Sequence, residues 1–395
     1  MGSPFFFGAL GPTPVRAPKP CYNKPVISEG DLVYSPKSDL LTPIIYYVIV
    51  HVSANMKKKT KKVTISEVAK EAGVSLQTVS RVINNRQEIT PRTRQRVQEV
   101  IQRLRYQPNA IARSLSQRRS HTLGIVTSGL EYYGPARILV GVEQAANQQS
   151  LSILLNLLHQ PESEDVGSIV NSLISRQVEG IIWAVPEIGN NRSWFQEMLP
   201  QLTIPVIFLS TQPRDQIHVV EIDNRAGGYI ATQHLLERGY RKIGLIAGPL
   251  TWRAASERRR GWQEALVAAN VPFSEAQIVE GNWSAESGER GLHELLEKCP
   301  DVQAVFACND QMALGVMRAA QRLEKRIPED LAVVGFDDIP ESPFYSPPLT
   351  TVRQDLYKLG KVAVQTFLQL RDAEQGGELN IPILLQPQLV VREST

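Results

Sequence analysis

The chain has 395 residues, 42% hydrophobic and 21% charged: apolar enough for about two or three packed domains and too apolar for global disorder. No window approaches the roughly 18 apolar residues of a membrane helix. Three cysteines without a CxxC pair (Cys21, Cys299, Cys308) exclude a disulfide scaffold or cysteine-built zinc site and suit a reducing cytoplasm. The net charge of +3 is unevenly spread: residues 56–120 carry sixteen Lys/Arg against four Asp/Glu, and residues 121–395 carry twenty-three against thirty-three. A short basic module therefore precedes a large, mildly acidic body, the pattern expected when one end meets a polyanion.

Residues 1–55 hold eight prolines and no helical or alternating period, which reads as a disordered extension. Organised sequence opens at Met56 with MKKKTKKVTISEVA, so Met56 is the expected natural start; N-terminal sequencing of the protein made from its own gene tests this. Val63 to Leu104 then predicts three short helices. Thr64-Ile65-Ser66-Glu67 fits a capping box, and Gly73 supplies a turn after Ala72. Ser75 can cap a second helix from Leu76 to Asn84, and Thr90-Pro91 opens a third. Two helices around a tight glycine turn, followed by a third, form the helix-turn-helix layout, whose second helix enters the DNA major groove.

The early exposed positions of that helix are Leu76, Gln77, Thr78, Ser80 and Arg81. Gln suits adenine, Arg suits guanine, and Thr or Leu can touch a thymine methyl. The preceding lysines, Lys57 to Lys62, suit phosphates. Asn109 to Leu115 follows, too short to be a stable helix alone.

From Thr122 onward, apolar runs alternate with amphipathic stretches. Strands are expected at 123–126, 151–158, 180–185, 206–210, 243–247, 304–307 and 331–336, with helices at 136–149, 166–176, 225–238, 255–269, 285–298 and 311–323. This βαβ alternation predicts an α/β body of Rossmann-like parallel sheets with ligands at the carboxyl ends of strands. At roughly 270 residues, two lobes around a cleft are expected rather than one sheet. Asn309 and Asp337 end strands, and Ser128 ends another that faces the cleft.

VTISEVAKEAGVSLQTVSRVIN and ITPRTRQRVQEVIQRLRYQPNAIARSL resemble the DNA-binding head and hinge of the lac repressor family. GNWSAESG, CNDQMALGVMRA, LAVVGFDD and PPLTTVRQD continue the resemblance through the body, so that it covers about residues 63–393. It implies a helix-turn-helix domain (56–106), a hinge and linker (107–120), and a two-lobed, periplasmic-binding-protein-like domain for effector binding and dimerisation (121–395). It further implies a hinge that folds only on double-stranded operator DNA, with Asn109 and Ala112 in it and Leu115 as the wedge between base pairs.

For the effector, taken as a small saccharide, the resemblance implies contacts from Arg258, Asn309, Asp337 and Gln354, with Trp283 and Phe336 against the sugar ring. Ser210, Tyr132 and Trp252 complete the expected set. Ser210 stands where the family's namesake ends its strand on a sugar-contacting aspartate, so galactoside specificity does not transfer. The chain also stops at Thr395 without that protein's leucine-heptad helix, and a homodimer is expected. A phosphorylated metabolite, a purine or a partner protein are the alternative signals.

Catalysis is not expected. Asp337 and Asp338 point to opposite faces of an extended chain, and the sequence holds no P-loop, GxSxG or HExxH, no metal-ligand spacing, and no sign of a cofactor. Asp310 and Asp338 read as caps of the following helix or turn, and Trp262 as a core residue.

Overall fold

The computed structural model describes residues 63–373 and 382–395, apart from 85, 108–118, 161–165, 189–190, 193 and 216. The extension, the lysines of 57–62 and the hinge positions Asn109, Ala112 and Leu115 lie outside the described residues. The chain divides after Gln107 into two compact units.

In the head, α1 (Ile65–Ala72), α2 (Leu76–Ile83) and α3 (Pro91–Arg103) each begin at a side-chain cap. The capping box forms as expected: Glu67 N donates to Thr64 Oγ1 at 3.3 Å, and Thr64 N donates to the Glu67 carboxylate at 2.8 Å. Gly73, at φ 61°, ends α1 in the left-handed conformation that glycine adopts without strain. Seven small side chains, including Val68, Val79, Val82 and Val97, close the core between the helices.

The body holds two six-stranded sheets. In chain order they are built from β1 (Thr122–Thr127), α4 (Tyr133–Gln148), β2 (Ser152–Leu157), α5 (Gly167–Ser175), β3 (Gly180–Ala184), α6 (Phe195–Met198), β4 (Val206–Leu209) and β5 (His218–Ile222). There follow α7 (Asn224–Glu237), β6 (Ile243–Ala247), α8 (Arg253–Ala268), β7 (Ile278–Glu280), α9 (Ala285–Lys298), β8 (Ala304–Ala307), α10 (Asp310–Arg322) and β9 (Ala332–Asp337). The chain closes with β10 (Thr350–Arg353), α11 (Leu356–Asp372), β11 (Ile383–Leu385) and β12 (Gln388–Val390).

The sheet orders are β11-β5-β4-β3-β1-β2 and β12-β10-β9-β8-β6-β7, and the pairs are parallel except for β10 with β12. The chain therefore crosses between lobes after β5, after β10 and after β11. Each sheet is covered by helices on a core of Leu, Ile, Val and Phe, and Trp262 is fully buried in the second lobe's core.

Every expected strand and helix of the body is present, with ends within two residues except the start of α4, which comes three residues early at Tyr133. The expectation missed β5, β7, β10, β11, β12, the one-turn α6 and the long α11. Three of those strands have only three residues and exist through partners far away in sequence, as where Ile383–Leu385 pairs with Val220–Ile222. Helix α11 was readable: Asp355 caps it, and Leu356, Leu359, Ala363 and Phe367 repeat along one buried face.

Helices α7 and α8 pack so closely that a Cβ on Gly261 would lie 2.0 Å from the Arg225 carbonyl oxygen, and one on Gly228 would lie 2.1 Å from that of Arg258. This contact sets where Arg258 emerges. Gly261→Ala should separate the helices and destabilise the body by about 1–3 kcal/mol, the usual range for overpacking. A urea-unfolding midpoint equal to wild type would show that the helices yield freely.

Candidate functional site

On the head, burial of Val79 and Val82 turns the opposite face of α2 outward. Leu76, Gln77 and Arg81 are exposed there; Thr78 and Ser80 are half-buried. Arg81 lies 3.5 Å from Glu88, an exposed pair that costs little to open. The Thr64 hydroxyl is engaged in its own cap, where it donates to Glu67 at 3.2 Å. Gln77, Thr78, Ser80 and Arg81 can donate to base edges and phosphates from one helix face, and Leu76 can touch a thymine methyl, which is what major-groove reading requires.

In the body, the carboxyl ends of both sheets meet at a cavity of about 380 Å³. Tyr132, Ser210, Trp252, Arg258, Trp283 and Asn309 all line it, as do Asp337 and Gln354. Ser210 follows β4, Asn309 follows β8, Asp337 closes β9 and Gln354 follows β10. Ser210, Trp283 and Asp337 hold φ of 52°, 72° and 114°, conformations that side chains rarely adopt and that concentrate at ligand sites.

Two of the expected residues do not line this cavity. Phe336 is fully buried in the second lobe's core and is not in the cavity wall; the Arg258 guanidinium covers its ring, 3.6 Å above the centroid. Ser128 directly follows β1 and is buried outside the wall, its hydroxyl without a hydrogen-bond partner among the described residues. In both cases a strand end marks the right region but leaves open which side chain turns into the cleft. The two aspartates read as caps do other work. Asn309 caps α10 in place of Asp310, and Asp338 pairs with Arg353 and Arg392, each at 2.6 Å.

Arg258 is 5% exposed. Its Nε donates to Asn224 Oδ1 at 2.8 Å, one terminal nitrogen donates to the Cys308 carbonyl, and the other lies 3.8 Å from Asp337. Asn224 was not anticipated; as the first residue of α7 after Asp223, it carried no signal of its own. Burial pulls the Arg258 guanidinium below its ordinary value, against the pull of Asp337. Burial raises the Asp337 carboxyl to about 6, against Arg258 and the Gln354 amide that donates to it.

Because this folded value lies above the unfolded one, Asp337's contribution to stability is present below the ordinary carboxylate range and is lost as pH rises through about 6. Thermal midpoints should accordingly shift in favour of Asp337→Asn, relative to wild type, between about pH 5 and about pH 8. A difference that stays constant with pH would contradict the raised value.

The lobes meet at Trp252 and Arg253. Trp252 bridges to Ile188, and Arg253 pairs with the buried Glu221 at 3.1 Å. Tyr132 of the first lobe meets Trp252 edge-on at 5.6 Å, and Trp252 meets Trp283 at 6.1 Å and 67°. The indole N–H of Trp283 and the amide oxygen of Gln311, both buried at the cavity, have no hydrogen-bond partner among the described residues. No His/Cys/Asp/Glu group among the described residues could hold a metal, and no helix there is long and apolar enough to cross a membrane.

A helix-turn-helix head joined to a two-lobed body with a polar and aromatic cleft defines a one-component DNA-binding regulator. Comparison with known proteins agrees. The model for bacterial regulatory proteins of the lacI family matches residues 64–109, and that for a periplasmic binding protein-like domain matches 232–395. The HTH-type transcriptional repressor PurR of Haemophilus influenzae is 34% identical over 338 residues, 84% of this chain and 98% of that protein. A crystal structure of the lac repressor dimer bound to operator and the anti-inducer ONPF aligns with TM-score 0.76 and 33% identity, covering 85% of this chain and 99% of that one. A complex of the transcriptional regulator CelR with cellobiose aligns with TM-score 0.63 and 32% identity, covering 84% and 100%. The chain belongs to the lac repressor family: it is a DNA-binding transcriptional repressor and not an enzyme.

Proposed function

We propose that the chain acts in the cytoplasm as a homodimer whose grip on a roughly palindromic operator is controlled by a neutral saccharide in the cleft. Exposed Leu155 and Leu157 on β2, with Leu314 on α10 and Leu323 just after it, offer apolar area to a second copy, and the aligned lac repressor is itself a dimer. Leu76, Gln77, Thr78, Ser80 and Arg81 read one half-site, Thr64 approaches the backbone, and the segment with Asn109, Ala112 and Leu115 enters the minor groove.

The character of the cavity carries the reading. Its two cations are already neutralised: Arg258 faces Asp337, and Arg253 faces Glu221 and Glu257. Counted around the wall, Glu131, Glu187 and Asp337 outnumber Arg253 and Arg258, which disfavours a phosphate. Trp252 meets both Tyr132 and Trp283 edge-on, and the ring faces so left turned toward the cavity suit the apolar face of a puckered ring. Tyr132, Trp252 and Trp283 take the ring faces; Ser210, Arg258, Asn309, Asp337 and Gln354 take or orient the hydroxyls.

The effector acts by preferring one arrangement of the lobes, and operator affinity falls by the difference in its binding to the two states. A thermal-shift panel of neutral mono- and disaccharides, sugar phosphates and purines tests the ligand class, since a bound ligand raises the midpoint with its concentration. Saccharide hits support the reading, and hits confined to purines or phosphates overturn it.

A further inference from the structure

Two consecutive residues of the second lobe, Trp252 and Arg253, reach across the cleft to the ends of three strands of the first. Arg253 opens α8, and its guanidinium meets Glu221 on β5 as a fork: Nε donates to one carboxylate oxygen at 3.3 Å and a terminal nitrogen donates to the other at 3.1 Å. Its backbone N–H donates at 3.3 Å to the carbonyl of Glu187, which follows β3. Trp252 forms an antiparallel bridge with Ile188 and meets the ring of Tyr132, after β1, at 5.6 Å. Strands β5, β4, β3 and β1 are consecutive in the sheet, so these contacts run from beside the crossover after β5 out across the lobe.

Both sides of the contact are held within their own lobes. In the second, Leu250 N donates to Glu280 on β7 at 3.0 Å, and Trp252 N donates to the Pro249 carbonyl at 2.9 Å. In the first, the Glu187 carboxylate accepts from Gln212 N at 2.6 Å. The Glu221 side chain is 9% exposed and that of Arg253 21%, so water and salt screen their attraction far less than that of a surface pair.

We propose that Trp252 and Arg253 are an interlobe latch: fastened to Glu221, Glu187 and Ile188, they hold the lobes closed with the chain's own residues and bias the equilibrium between lobe arrangements. A ligand moves such an equilibrium only by its differential affinity for the two states, so the strength of the latch sets the difference that an effector needs. The consequence for DNA rests on the proposed control of operator grip by the lobes; the latch itself does not.

The experiment measures closure directly. Opposed residues of an antiparallel bridge lie about 4.5–5.5 Å apart at Cα, within reach of a disulfide. The full chain carrying Ile188→Cys and Trp252→Cys should therefore cross-link in a glutathione redox buffer, with the bond located by peptide mapping apart from the native cysteines. Adding Glu221→Gln or Arg253→Ala should lower the effective concentration of the thiol pair about threefold or more, because the lobes then spend less time closed. A role confined to stability would lower the melting temperature and leave the cross-linking in place. Unchanged cross-linking in both variants overturns the latch; if Arg253→Ala does not fold, an unchanged value in Glu221→Gln overturns it.

Operator affinity of the same two substitutions, without the added cysteines, reads the consequence. They alter the charge of the chain in opposite senses, so a simple electrostatic effect on DNA would strengthen binding in one and weaken it in the other. Loss of the latch should move both in the same direction, by about threefold or more. Opposite shifts, or none, together with reduced cross-linking would overturn the control of operator grip through the lobes while the latch stands.

Discussion

Arg258→Ala should destabilise the body by about 3–5 kcal/mol, the range seen when one partner of a buried charge pair is removed. The substitution leaves Asp337 inside the protein without its counter-charge and strips the Cys308 carbonyl and Asn224 of a donor. It also uncovers the Phe336 ring, above which the guanidinium now lies at 3.6 Å. The sequence offered Arg258 as a ligand contact; the structure makes it equally a keystone between α7, α8 and the end of β8. Urea unfolding of the wild type, of Arg258→Ala and of the double variant Arg258→Ala with Asp337→Asn separates the terms. The double variant should regain part of the loss, because the uncompensated charge is gone. A loss below about 1 kcal/mol in the single variant would mean that water reaches Asp337 and that the pair is not buried in solution.

Arg81→Ala should weaken binding to the operator by about 1–3 kcal/mol, roughly five- to 150-fold, if its guanidinium reads a base edge. On random duplexes the change should be small, since non-specific binding rests on phosphate charge. The exposed Glu88 beside it, at 3.5 Å, must release Arg81 when DNA arrives, and an exposed pair gives way at little cost. Anisotropy titrations at one fixed salt concentration, with a selected operator and a random duplex, measure both values. Equal losses on the two duplexes would assign Arg81 to the phosphates and leave Gln77 and its neighbours to carry the sequence reading.

Local signals made the head almost fully legible. Capping residues, a glycine turn and apolar spacing act within a few residues, and Thr64, Gly73, Ser75 and Thr90 do in the structure what their chemistry suggests. In the body, the buried parallel strands were legible because both faces are covered, which leaves continuous apolar runs. The three-residue strands were not, because β11 and β12 exist only through the chain's crossing between lobes. At the site, strand ends and family likeness led to Asp337, Asn309 and Gln354. They could not tell the wall from what lies behind it. Phe336 precedes Asp337 on the same strand and points into the core, and Asp310 follows Asn309 yet is buried behind the wall, where its carboxylate accepts from Thr351. Asn224 and the Arg253–Glu221 contact join segments far apart in sequence, so no local pattern announced them.

The account stands on one coupling, between a neutral sugar in the cleft and the head's hold on DNA. Its most direct measurement is operator affinity of the full chain with and without each saccharide that stabilises it, made in parallel on Asp337→Ala. The expected result is a loss of operator affinity of about tenfold or more in the wild type, within the usual range of allosteric coupling, and none in the variant, whose affinity without sugar equals that of wild type. A sugar that stabilises the protein yet leaves operator affinity unchanged, or one that still acts on Asp337→Ala, would contradict it.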